Sequence, residues 1–348
     1  MARCFDIGKR KSFLAIITFL MLSFALLIGF NTFCFCGNFS NSSNYEPRRI
    51  VSPYDGIDFQ SILRLRANLH THTTASDGRE TADEMIRLYA EKGYDIVAIT
   101  DHRTFGVDST EYRIVEGRQV LVIKGIEAGR YHHHFNSLFA SYNTRFRLST
   151  KLRIEAHIRN CDGIMFLNHP ARYRRFSDRW YECVFSRFPA ERLVGMEVVN
   201  LDDRYPESRD LWDRLLTKSA PGRVIWGFAN DDSHNADEVG FSFNEFFVEE
   251  NNINNIRYAI QNGRSFFYSK ISNAAMPFVR NIIVNQEQLT IAVYAENADL
   301  IHWISRGSVV SEESEISIID LGLERYVRFT ITNSGGILYS QPFLLSYY

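Results

Sequence analysis

The chain lacks most of the features that would narrow its class at once. Five cysteines in 348 residues are too few for a disulfide scaffold. Eight prolines and 20 glycines, without a period, exclude a collagen-like or low-complexity chain. Neither sign of charge is in excess: 39 Lys and Arg oppose 41 Asp and Glu, a net charge of -2. That balance leaves no basic surplus to coat a nucleic-acid backbone, so no nucleic-acid-coating surface is expected. A Gly-rich loop of the Gly-Lys-Ser/Thr kind is absent, which excludes the usual phosphate cradle of nucleotide hydrolases. What remains is ordinary globular usage, 45% hydrophobic and 23% charged, in a length that suits about two domains.

One long apolar run is present. Phe13 to Phe30 carries no charge and is interrupted only by Thr18, Ser23 and Gly29. As a helix it would span roughly 27 Å, close to the apolar thickness of a bilayer. Arg3, Lys9, Arg10 and Lys11 precede it, a flank that stays in the cytoplasm and sends the following chain outward. Residues 1–37 therefore read as a transmembrane anchor or a cleaved signal peptide, and either one predicts an extracytoplasmic catalytic part, membrane-anchored if uncleaved. Residues 38–61 read as a linker. Beyond it only Cys161 and Cys183 remain, as a disulfide or as two free thiols.

Residues 62–272 alternate short apolar runs with helical patterns. Leu63–Leu69, Tyr94–Thr100, Val120–Ile126, Gly163–Leu167, Leu193–Val199 and Val224–Ala229 predict strands. Thr81-Ala82-Asp83-Glu84 is a capping box that opens a helix with Met85, Leu88 and Tyr89 on its apolar face. Ile253, Ile256 and Ile260 mark another helix, closed by Gly263. Such alternation predicts an α/β fold with a largely parallel sheet, open or closed into a barrel. Residues 273–348 change to strict alternation, as in Leu289, Ile291, Val293 and Val327, Phe329, Ile331, and predict a small antiparallel β-sandwich domain. Trp303, Tyr326 and Tyr339 there would line either a carbohydrate face or a packed core.

Histidines are the informative residues. Of ten, only His157 and His302 lie outside four tight groups: His70/His72, His102, His132/His133/His134 with His169, and His234. The groups sit at predicted strand ends, where loops of parallel β/α proteins converge on one face. Asp77, Glu127 and Asp232 share this placement. In His70-Thr71-His72 the i, i+2 spacing turns two imidazoles the same way in an extended segment, and Asp232-Ser233-His234 repeats the device with one carboxylate. Each unit alone has an ordinary structural explanation, such as Asp101 capping a helix or His169 packed in a core; together they predict a metal centre. Imidazole and carboxylate without thiolate suit Zn, Mn or Fe.

Taken in order, Leu69-His70-Thr71-His72, Ser76-Asp77-Gly78, Ile99-Thr100-Asp101-His102, Gly125-Ile126-Glu127, His134-Phe135-Asn136, Asn168-His169-Pro170 and Asp232-Ser233-His234 resemble the polymerase and histidinol phosphatase (PHP) family of metallohydrolases. The resemblance implies a distorted (β/α)7 barrel with two or three divalent metal ions at one mouth. By position, His70, His72, Glu127 and Asp232 would hold the first ion, and Asp77, His102 and His234 the second. Glu127 would bridge to a third held by His134 and His169, with His133 the second choice from the triple run. Asp77 stands where some relatives have His. Glu197 and Asn200 are expected to face the ligands or the substrate, and Asp101 and Asp231 to orient neighbouring ligands.

The expected chemistry is attack of metal-activated water on a small-molecule phosphate mono- or diester. Arg103, Arg130 and Arg172 follow ligand residues closely and are candidates to contact phosphate. The same donors also suit a carbamate, ester or amide hydrolase, or a non-catalytic metal-binding scaffold. An amidohydrolase barrel also opens with His-x-His, but such barrels resemble one another in a bridging Lys, whereas Glu127 occupies that place here.

Overall fold

The computed structural model describes residues 47–129, 132–143 and 148–347. The apolar run at 13–30 and Arg130 lie outside the described residues. Among the described residues, no helix is long and apolar enough to cross a membrane.

The first strands in chain order are β1 (Arg49–Val51), β2 (Leu63–Asn68), β3 (Ile96–Ile99), β4 (Glu111–Val115), β5 (Arg118–Ala128) and β6 (Phe135–Leu138). They are followed by β7 (Ile164–Leu167), β8 (Leu193–Asn200), β9 (Trp226–Asn230), β10 (Ser242–Val248) and β11 (Ser265–Lys270). Five α-helices lie between them: α1 (Ala82–Glu91), α2 (Thr150–Asn160), α3 (Asp178–Arg187), α4 (Glu207–Ser219) and α5 (Ile253–Asn262). The capping box opens α1 as expected, with the Glu84 N–H donating to Thr81 Oγ1 and the Thr81 N–H to Glu84 Oε2. Gly263 ends α5 at φ 63, where a Cβ would stand 2.5 Å from the Trp226 ring.

Strands β2-β3-β5-β6-β7-β8-β9 form one row. Its two ends meet: Thr71 bridges Ser233, the Leu69 N–H donates to Asn230 Oδ1, and the Asp231 N–H donates to Asn68 Oδ1. The row is largely parallel, as expected, but two strands depart from β/α order. β4 pairs antiparallel with β5, and β6 runs antiparallel to both β5 and β7. The reason is connection length: residues 129–134 are too few for the helical crossover that a parallel neighbour needs. Helix α2 connects antiparallel β6 to β7, and α3 and α4 supply the crossovers of the parallel steps β7–β8 and β8–β9. All eight residues of β8 and all four of β3 and β7 are buried, as expected of strands covered on both faces.

The C-terminal strands are β12 (Phe278–Asn285), β13 (Thr290–Glu296), β14 (Leu300–Ser305), β15 (Ser308–Ser311), β16 (Glu315–Ser317), β17 (Tyr326–Thr332), β18 (Gly336–Ser340) and β19 (Phe343–Ser346). β12, β13 and β16 make a separate three-stranded sheet. β18 pairs antiparallel with β11, which extends the large sheet directly from the α/β half. Arg49–Val51, within the stretch expected as linker, is instead a strand: β1 pairs with β19 and covers its edge. A buried Asp213–Arg328 pair, with Tyr326 OH donating to Asp213 Oδ1 at 2.9 Å, ties α4 to β17. Trp303 is buried with its Nε1–H on the Glu313 carbonyl, and Tyr339 stacks on Phe267 at 5.0 Å. With Tyr326 in that buried network, the three aromatics are core groups and form no carbohydrate face. Cys161 is a free thiol, so the Cys161–Cys183 disulfide that the sequence leaves open does not form.

Candidate metal centre

The strand ends of the row deliver every candidate ligand to one place. β2 leads into His70 and His72, β3 into His102, β5 carries Glu127 as its penultimate residue, β6 begins after His134, β7 leads into His169, and β9 into Asp232 and His234. His169 (φ 30) and Asp232 (φ 50) adopt left-handed backbone, which costs a non-glycine residue roughly 1 kcal/mol or more and persists only where the surroundings enforce it.

Glu127 is the hub. His134 Nδ1 stands 2.9 Å, His169 Nε2 3.1 Å and His70 Nε2 3.4 Å from its Oε1; His102 Nδ1 stands 2.9 Å and His72 Nε2 3.4 Å from its Oε2. Asp232 Oδ1 lies 3.1 Å from His72 Nε2 and 3.2 Å from His70 Nε2, and those two nitrogens are 3.1 Å apart. Four atoms around one ion at about 2.0–2.1 Å in a tetrahedron would be about 3.3–3.4 Å apart, so this spacing fits a shared ion. Asp77 lies between His102 Nε2 (3.5 Å), His234 Nε2 (3.6 Å) and His72 Nδ1 (3.6 Å). The structure thus brings together all nine residues singled out from the sequence, in overlapping groups able to hold an ion. His133 is not among them: its Nδ1 is on the His134 carbonyl, its Nε2 on Tyr181 OH, and its ring stacks on Trp180.

The electrostatics call for a cation. Glu127, Glu197 and Asp232 are buried, and among the described residues the only Arg or Lys ion-paired to them is Arg204, at 3.9 Å from Asp232 Oδ2. Burial opposes charging at each group, yet the neighbours prevail. The Asp232, Glu197 and Glu127 carboxylates raise His70 well above the usual imidazole range. In return His134 and His70 hold Glu127 well below the usual carboxylate range, and His70 and His72 do the same for Asp232. Burial wins at His72 and His134, which are lowered. The buried Nδ1 atoms of His72 and His169 have no hydrogen-bond partner. A buried donor set of this kind, anionic and partly unpartnered, fits divalent ions.

A supporting layer holds the donors. His70 Nδ1–H donates to Glu197 Oε1 at 2.7 Å, which turns Nε2 toward the cluster. Asn168 Nδ2 donates to Glu127 Oε1 at 2.7 Å. Asp101 and Asp231 act on loops rather than on ligand side chains. Asp101 accepts from the Thr73 N–H, Thr73 Oγ1 and Ser76 Oγ, which shapes the loop that carries Asp77. Asp231 accepts from the N–H groups of Gly240, Phe241 and Ser242 and from Tyr89 OH, and burial raises it to about 6. Gly129, at φ 144, is required by His134: a Cβ would stand 2.4 Å from its Cδ2.

The cluster opens to solvent on one side. His102, His234 and Asp77 are 19, 31 and 54% exposed, whereas His70, His72, Glu127 and His169 are buried. Arg204, at 34%, stands at this rim between Asp232 and Glu238, 3.9 Å from each. The sequence reading passed over Arg204, because the loop after β8 carries no histidine to mark it. Arg103 and Arg172 are exposed and make no ion pair among the described residues. Tyr173 lies beside the His134–His169 part of the cluster, its ring 5.6 Å from His169 and 5.8 Å from His134.

Residues 68–224 match the PHP domain. No curated protein matches the chain. Among solved structures, the chain is similar to a two-domain protein from Bacteroides vulgatus containing a predicted PHP-like metal-dependent phosphoesterase, with 17% identity, 87% of this chain and 100% of that one covered, and a TM-score of 0.50. At that identity the likeness is one of fold. Weaker likenesses extend to a lesion-specific endonuclease from Pyrococcus furiosus (14% identity, 80 and 70% covered, TM-score 0.39) and an amidohydrolase from Chromobacterium violaceum (15%, 49 and 87%, 0.36). The PHP-domain match at residues 68–224 takes in seven of the nine clustered residues, all but Asp232 and His234.

Proposed function

We propose that the protein is a metal-dependent phosphoesterase that hydrolyses a phosphate mono- or diester. The observation that carries this reading is the fusion of nine imidazole and carboxylate groups through Glu127, open to solvent beside a loosely paired Arg204. His70, His72, Glu127 and Asp232 would hold one ion, Asp77, His102 and His234 a second, and Glu127, His134 and His169 a third. When bound, Zn, Mn or Fe ions would acidify water and offset charge developing on the phosphoryl group.

The chain's own groups do the positioning. Glu197 fixes the His70 ring, and Asp101 and Asp231 fix the two loops that bear Asp77 and Asp232. Arg204 has two carboxylates at 3.9 Å, too distant to saturate its donors, so its guanidinium is free to take a non-bridging phosphoryl oxygen. A guanidinium at the rim favours an anionic phosphoester over a neutral carbamate, ester or amide. The apolar run at 13–30 supports an extracytoplasmic location, anchored or secreted.

The test is a substrate panel: aryl phosphate mono- and diesters beside an aryl carbamate and ester, with Mn or Zn supplied and then removed by chelator. Phosphoester turnover should be lost on chelation and in His72→Ala, and Arg204→Gln should raise KM. Turnover of the carbonyl substrates alone, with metal verified in the protein, would overturn the reading.

A further inference from the structure

Three residues past His169 the chain enters an arginine-rich stretch. Arg172, Arg174, Arg175 and Arg179 fall within eight positions, and all four are exposed. Arg172, Arg174 and Arg179 make no ion pair among the described residues. The acids of the same stretch do not offset them. Asp178 is held by Arg214 through two bonds of 2.8 and 3.1 Å and by Lys218, and Glu182 is held by Lys218 at 2.6 Å. The even charge of the whole chain therefore conceals a local positive surface.

Side-chain contacts tie this surface to the loop that carries His169. Tyr181 OH donates to the Pro170 carbonyl at 3.0 Å and lies 3.0 Å from His133 Nε2, so the first turn of α3 is fixed to the loop that carries His169. Trp180 stacks on His133 at 5.2 Å, and Phe176 lies 4.2 Å from Trp180. Tyr173 joins this shelf to the His134–His169 part of the cluster. Phe176 and Trp180 remain partly exposed, interleaved with the arginines.

Unpaired guanidinium groups leading away from a phosphoester site suit a ligand that carries further phosphates at regular spacing. We propose that the shelf of Arg172, Arg174 and Arg179 binds the flanking phosphates of a single-stranded nucleic acid whose scissile phosphate lies at the metal centre. The proposal rests on the phosphoesterase reading and names its substrate class. A single strand is flexible enough to place one phosphate in the cluster with its neighbours on the shelf. Its bases can also contact the exposed parts of Phe176 and Trp180, and arginines interleaved with aromatic rings are typical of single-strand sites.

The test measures equilibrium binding, which stands or falls independently of turnover. The full-length protein with Mn is titrated into a fluorescent phosphorothioate oligothymidylate of about ten nucleotides, followed by anisotropy at several salt concentrations. Three phosphate contacts at about 0.7 each predict a slope of log K against log salt that is about 2 units shallower in Arg172→Gln/Arg174→Gln/Arg179→Gln than in the wild type. Between about 50 and 200 mM salt the wild type should lose about 18-fold more affinity than this variant. The variant Arg87→Gln/Arg280→Gln/Arg306→Gln removes the same charge elsewhere and should keep the wild-type slope. Arg174→Gln/Arg179→Gln should leave hydrolysis of a small aryl phosphate unchanged. Equal slopes in the two triple variants would overturn the proposal. So would a fall in small-ester turnover matching the loss of binding, or loss of binding to phosphatidylserine vesicles with oligonucleotide binding intact.

Discussion

Replacing Glu197 by Gln tests whether the supporting layer sets metal affinity. The side chain is buried and accepts four bonds: from His70 Nδ1 (2.7 Å) and Asn230 Nδ2 (3.0 Å) on Oε1, and from the His169 N–H (2.8 Å) and Asn200 Nδ2 (3.2 Å) on Oε2. Only a carboxylate can accept on both sides. A Gln amide keeps one pair of donors and turns its NH2 toward the other. If it keeps His70 and Asn230, the His169 and Asn200 donors are left facing a donor. Each unpaired buried donor costs about 1–3 kcal/mol, so the metal-free protein should lose about 2–6 kcal/mol. Asn200 Oδ1 has no partner, so that amide can flip to accept from the new NH2, at the loss of its 3.3 Å bond to Asp232. His169 N–H still has no acceptor, which sets a floor of about 1 kcal/mol. Losing the anion behind His70 also weakens its Nε2 as a donor atom, and such changes typically reduce metal affinity about 10–100-fold, or roughly 1.4–2.7 kcal/mol. Urea unfolding of chelated protein and competition with a fluorescent zinc chelator measure the two effects separately. Unchanged metal affinity in a variant destabilised as expected would refute the role given to Glu197.

Other perturbations probe separate parts of the molecule. His157 is buried between Phe135 and Tyr142 with both ring nitrogens unpartnered, and burial lowers it from 6.5 to about 4. Its contribution to stability is therefore full above pH 6.5 and lost as pH falls through about 4. The gap corresponds to roughly 3 kcal/mol, and His157→Leu should remove that acid sensitivity in unfolding titrations between pH 7 and 4. Asp213→Ala should cost about 3–5 kcal/mol by stranding buried Arg328, and Asp213→Leu/Arg328→Met should recover most of it; equal losses in both would argue against the pair. Gly129→Ala should displace His134 from Glu127 and lower the metal content per chain, as read by elemental analysis, and full occupancy would exclude the steric role of Gly129.

Periodicity and punctuation made much of the α/β half legible. The apolar runs that become β2, β3, β5, β7, β8 and β9, the Thr81 cap and the Gly263 stop are local signals, and local preferences agree with the final structure there. The reversal of β6 was not legible, because direction depends on the length of a connection and not on the composition of the strand. The attachment of β18 to β11 was equally hidden, since alternation marks a strand without naming its partner. In the site, six histidines and three carboxylates at predicted strand ends marked the nine converging residues, whereas Arg204 and Asn168 are common residue types that gain meaning only from the distance to Asp232 or Glu127.

By itself the sequence determined the kind of chemistry, since donor types and their order along the chain are written in it: imidazole and carboxylate, no thiolate. Only the tertiary structure decided that Glu127 is the hub, that His134 and not His133 turns inward, and that the opening faces Arg204. The physical reason is that donor identity is a covalent property of each residue. Convergence, by contrast, is a property of backbone paths such as the left-handed turns at His169 and Asp232, which packing of the whole sheet enforces.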